Sequence, residues 1–212
     1  MTNRPLIDNY VKRVSISENL KPGDIAVVYE RGLATKLSSM LITPRADFFH
    51  FFLVADYIPA EMDFVIYESI PSHGVSVGRL SWYFDKKVDI YRPDPELVEM
   101  ETEYQSEYLG QLAVWEATKR GRIGYDYSIC VKLFFLVFYN CFKNLIKFHR
   151  FNCPYTNIRM SRNRRLLCTE MIDEAYCELF AVFDRYYELL PANFMQSIIS
   201  GRVQLVLSLQ ES

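Results

Sequence analysis

A chain of 212 residues suits one domain with room for a sizeable core. Half of it is hydrophobic and 24% is charged, which excludes a disordered polymer. The net charge of −2 gives no global field that would draw nucleic acid.

Aromatics are abundant, with 15 Tyr and 15 Phe, a surplus that thickens a core or lines an apolar site. The five Cys show no Cys-x-x-Cys pair and read as reduced thiols. The opening MTNRPLIDNYVKRV lacks the apolar run of a secretory signal, so a cytoplasmic location is expected.

Along the chain, residues 1–20 read as a short leader. Pro22-Gly23 makes a turn, and Ile25, Val27 and Tyr29 begin a strand. Residues 33–42 fit a short amphipathic helix. FFHFFLVADY reads as an apolar strand, IPAEM as a turn and DFVIYESI as the next strand. VSVGRLSWYF reads as a connection and KKVDIYRP as a further strand.

From Pro95 to Arg120 the period changes. Leu97, Met100, Tyr104, Tyr108, Leu112 and Trp115 fall three or four apart, so a helix is expected with that stripe inward. GRIGYDY breaks it. RLLCTEMIDEAYCELF is helical again. RVQLVLSL alternates as a strand with Val203, Leu205, Leu207 and Leu209 on one face. The class is α+β, an antiparallel sheet or barrel packed against helices.

The stretch from Ile129 to Phe142 is apolar, but its uninterrupted core is only Leu133 to Tyr139. A membrane span needs about 20 apolar residues. The plainest reading is a core helix. The alternatives are a wall facing an apolar ligand and a membrane-surface contact through 129–142.

Cysteine chemistry needs a nucleophilic sulfur, a base beside it and a group that holds the base. A sulfur at a helix N-terminus gains from the helix dipole and from free backbone N–H groups. Cys168 occupies such a place, just before Thr169-Glu170 and the apolar positions Met171, Ile172 and Ala175. Taken alone, it also fits a structural residue.

The imidazole must come from His50, His73 or His149, the three His present. His50 lies inside a very apolar strand, where a ring without a partner is costly. It is either a satisfied core histidine or a base. Glu68 lies in the following strand, and the separation of 18 residues is even. A hairpin centred near Pro59 would therefore put the two opposite each other on one face.

His73 reads as a loop residue. His149 with Cys153 lacks the further ligands of a zinc site, so no metal and no cofactor are expected. The cluster Arg159, Arg162, Arg164 and Arg165 reads as a solvated loop or as a contact for an anionic group.

The order of these segments resembles the circularly permuted branch of the NlpC-type papain-like superfamily, distantly related to the lecithin:retinol acyltransferase group. LKPGDI resembles the family's strand opening, FFHFFLVAD its histidine strand and FVIYESI the strand of its third polar residue. GRIGYDY resembles the segment before the cysteine helix, and LLCTEMIDEAY the opening of that helix. The matches span about residues 20 to 177. Thr169 and Phe51-Phe52 depart from the family pattern, as does the long apolar stretch between Tyr127 and Leu166.

The resemblance implies one permuted papain-like domain over 1–212, with an apolar helical insertion near 128–165. It implies Cys168 as nucleophile, His50 as base and Glu68 as orienter. Tyr125, Asp126 and Thr169 are the substrate-binding candidates. The implied activity is hydrolysis of a peptide or amino-acyl amide through an acyl-enzyme. A lipid-directed acyltransferase or thioesterase is the alternative, and a non-catalytic binding module with a vestigial site is the third reading. The implied partner is a peptide, amino-acyl or lipid-like small substrate, not nucleic acid.

Overall fold

The computed structural model describes residues 14, 16–29, 48–94, 103–121, 123–125, 131, 135, 138–139, 142–143, 146, 168–176 and 194–209. The helix expected over 33–42, residues 95–102, Asp126, His149, Cys153 and the Arg159–Arg165 cluster lie outside them.

Six strands build one sheet: β1 (Ile25–Tyr29), β2 (Phe48–Ile58), β3 (Asp63–Ile70), β4 (Gly74–Arg79), β5 (Lys87–Pro93) and β6 (Val203–Leu209). Their order is β4-β3-β2-β1-β5-β6, and every neighbouring pair is antiparallel. Helices with described bounds are α1 (Glu103–Lys119), α2 (Cys168–Tyr176) and α3 (Phe194–Ile199). The architecture is α+β.

The central strands are apolar at consecutive positions because both faces of the sheet are covered. On one face Ile25, Val27, Phe51 and Leu53 pack with Leu109 and Ala113 of α1, Met171, Ile172 and Tyr176 of α2, and Phe194 of α3. On the other, Ala26, Val28, Phe52, Val54, Phe64 and Ile66 pack with Leu80, Ile16 and Leu20. Phe51 and Phe52 thus fill different cores, and both are fully buried. Each such burial stabilises by roughly 1.5–3 kcal/mol. The Phe51 ring meets Phe194 edge-on at 5.1 Å.

VSVGR is a strand rather than a connection: β4 is an edge strand on β3, and a 3₁₀ turn at Leu80–Tyr83 follows it. Asp63 fixes that turn. Its Oδ1 accepts the backbone N–H groups of Phe64 at 2.8 Å and Ser81 at 3.1 Å. Leu80 is buried beneath the turn.

α1 buries a different stripe from the one expected. Leu109, Gly110, Ala113 and Ala117 face inward, Leu112 is half-buried and Trp115 is 56% exposed. Small residues win because the helix sits against the Pro22-Gly23 turn. A Cβ on Gly110 would lie 1.9 Å from the Pro22 carbonyl oxygen. Gly23 has φ +91°, a conformation other residues rarely adopt, and the Tyr176 hydroxyl donates to its carbonyl.

The neighbouring Asp24 takes two 2.8 Å hydrogen bonds from Arg92, joining the start of β1 to β5. Burial raises the Asp24 carboxyl above its usual range, outweighing the opposing effect of Arg92. The pair therefore specifies placement more than it adds stability.

β6 does not keep one face inward. Its pairing with β5 shifts between Ile90 and Tyr91. Val203 therefore joins the helix-side core, whereas Leu209 joins the opposite one and Leu205 is 57% exposed.

The apolar stretch after α1 is not core where it is described. Val131, Phe135, Phe138, Tyr139, Phe142 and Ile146 are helical, and each is more than half exposed. Among the described residues no helix is long and apolar enough to cross a membrane.

Candidate active site

Cys168 is the first residue of α2 and is 4% exposed. It is a free thiol. Met171, Ile172, Ala175 and Tyr176 hold α2 against the sheet, so the N-terminal end of the helix is fixed relative to β2 and β3. Glu170 lies in the first turn, where the helix dipole favours an acid.

His50 enters near the start of β2, and Val28 of β1 is its backbone partner. Glu68 lies on β3 and is 2% exposed. His50 Nε2 is 2.8 Å from Glu68 Oε2. The expected strand parity holds, but the two are not directly opposite. Glu68 faces Phe52, and the pairing shifts between Val54 and Tyr57. His50 is therefore the diagonal neighbour of Glu68, a separation an imidazole and a carboxylate can span.

The sulfur of Cys168 lies close enough to the same imidazole to raise its pKa. Because Nε2 is engaged by Glu68, Nδ1 is the nitrogen left to serve Cys168. The carboxylate sets this orientation, since it accepts an Nε2–H proton. The His50 pKa reflects two opposed effects. Burial lowers it, but hydrogen bonds and charge from Cys168 and Glu68 outweigh burial and raise it to about 9.

Two further residues complete the site, and neither stood out in the sequence. The Tyr83 hydroxyl donates to Glu68 Oε2, and its ring stacks on His50 with centroids 6.0 Å apart and planes 24° apart. Phe52 packs on Tyr83 at 4.9 Å, so the stack is backed by the sheet. Gly78 on β4 leaves room for the carboxylate. A Cβ there would lie 2.6 Å from Glu68 Oε1. Tyr83 fell within a segment read as a connection, and the use of Gly78 depends on a strand pairing. The visible signal for either was slight, an aromatic after a turn and a Gly within an alternating run.

The substrate-binding candidates fare differently. Thr169 is fully buried in the first turn of α2, beside Cys168. Tyr125 is partly buried in the segment after α1, and that segment is tied to β4 by Val75 N–H donating to the Ile123 carbonyl at 2.8 Å. His73 is exposed and hydrogen-bonded to Ser72 Oγ. Among the described residues no three His, Cys, Asp or Glu side chains converge as metal ligands would.

No family model and no curated protein matches the chain. A solved metalloprotein, yiiX from Escherichia coli O157:H7, is similar with a TM-score of 0.47 at 14% identity. The similarity covers 91% of this chain and 89% of that one.

Proposed function

We propose that this chain is a cysteine hydrolase of the circularly permuted papain-like type, acting on an amide bond. The observation that carries the reading is the line of contacts from Cys168 through His50 to Glu68. A thiol at the first position of a helix meets an imidazole whose other nitrogen is held by a buried carboxylate. The order of segments supports the permuted form, with the histidine strand preceding the cysteine helix.

In this reading Cys168 Sγ attacks the carbonyl carbon and its proton resides on His50. The carbonyl oxygen becomes an oxyanion, and the backbone N–H of Cys168 at the start of α2 is the donor proposed for it. The intermediate collapses with cleavage of the C–N bond, and the departing amine takes the proton from His50. Water, deprotonated by His50, then attacks the thioester carbonyl, and the acid leaves with Cys168 restored. Glu68 holds the ring and offsets the imidazolium charge, and Tyr83 holds Glu68.

Turnover of peptide and amino-acyl amides, with intact-mass detection of an acyl adduct on Cys168, tests this reading. Cys168→Ala should lose turnover and adduct while keeping its circular dichroism. Full activity in that variant would sink the assignment. A second reading, acyl transfer from a lipid ester, is favoured by the exposed apolar residues between 131 and 146. An adduct formed from lipid esters and not from amides would select it.

A further inference from the structure

We infer that the exposed helical face carrying Phe135, Phe138 and Phe142 docks on the surface of an anionic lipid bilayer. Val131, Phe135, Phe138, Tyr139, Phe142 and Ile146 are helical and between 54% and 65% exposed. At 100° per residue their positions fall within an arc of about 100°, one continuous stripe. Apolar residues scattered singly over a surface need no explanation, but six in one stripe mark an interaction face. Phe138 and Phe142 are stacked with centroids 6.4 Å apart, so the aromatics present a joined surface.

Charge selects the occupant. Residues 127–169 contain three Lys, five Arg and no Asp or Glu. That stretch carries +8, and the rest of the chain carries −10, which together give the net −2. Lys143 is exposed, falls at the edge of the apolar arc, and places its ammonium 5.9 Å from the Tyr139 ring. A cation flanking an aromatic stripe suits the boundary between headgroups and acyl chains. Anionic headgroups attract this basic segment and not the acidic remainder of the chain. The helix lies on the bilayer rather than across it, since the uninterrupted apolar run, Leu133 to Tyr139, is far short of the roughly 20 residues a span needs.

This inference does not rest on the proposed catalysis. The test is co-sedimentation of the full chain with vesicles of phosphatidylcholine alone and with 30% phosphatidylserine. The chain should bind the anionic vesicles, at least about tenfold more tightly than the neutral ones at low salt, and lose binding as salt rises. Phe138→Asp and Phe142→Asp, both at exposed positions, should each weaken binding about tenfold or more with unchanged circular dichroism. Cys168→Ala should bind as the parent does. Failure to sediment with either vesicle would overturn the inference. So would equal binding by the Asp variants, or self-association without lipid that those variants abolish.

Discussion

His50 and Glu68 sit on adjacent antiparallel strands two residues out of direct opposition, yet their side chains meet at 2.8 Å. The offset leaves Phe52 opposite Glu68, and with Nε2 engaged by the carboxylate the other ring nitrogen is left for Cys168. Tyr83 closes the arrangement from the far side by donating to the same carboxylate oxygen.

That shared acceptor makes Glu68 and Tyr83 testable as positioning residues. Glu68→Gln removes the charge and should lower kcat on any amide or ester substrate by about 10²-fold or more with little change in KM. Tyr83→Phe keeps the ring stacked on His50 and removes one hydrogen bond, so about a tenfold loss is expected. A kcat unchanged in both, measured by steady-state kinetics, would remove the orienting role.

Gly78 provides a steric test of the same placement. Gly78→Ala would put a methyl carbon 2.6 Å from Glu68 Oε1 unless the carboxylate moves. Overpacking of this kind costs about 1–3 kcal/mol, readable as a lower midpoint in urea. Activity should fall more steeply than stability, because the displaced carboxylate no longer holds the ring. Loss of stability without loss of activity would show that the Glu68 position is not needed.

The pH dependence of stability follows from His50. Its folded pKa is raised from 6.5 to about 9. The folded state therefore holds a proton that the unfolded chain has released between those values. This contribution is fully present below about pH 6.5 and is lost as pH rises through about 9. Urea titrations of the parent and of His50→Gln should differ most at the low end of that window and converge toward its top. A difference that grows as pH rises would contradict the direction.

Much of the sheet was legible in the residues. β2 and β3 begin and end where the apolar runs meet IPAEM and the turn after Ile70, because turn residues and apolar strands leave strong local signals. The parity linking His50 to Glu68 was legible for the same reason. The diagonal offset was not, since the shift between Val54 and Tyr57 is set by how two strands settle together. β4 was missed because an edge strand with exposed Val77 and an interior Gly78 lacks a continuous apolar signature.

The apolar stretch shows a different limit. Apolarity signals that Val131, Phe135 and their neighbours gain from leaving water, but it does not name what covers them. A core helix was the simplest partner to assign, and the described residues instead face outward. For Cys168, the sequence placed it at a helix start, and α2 begins with it. Its contact with His50 depends on α2 packing against β2 and β3, which no local pattern encodes.

The most direct test of the Cys168–His50 pairing is the rate at which iodoacetamide alkylates Cys168 at pH 7, located by peptide mapping and compared with His50→Gln. The paired site predicts alkylation at least about tenfold faster in the parent, because the imidazole takes the thiol proton. Equal rates in the two proteins would contradict the pairing and leave Cys168 a packing residue in a non-catalytic domain.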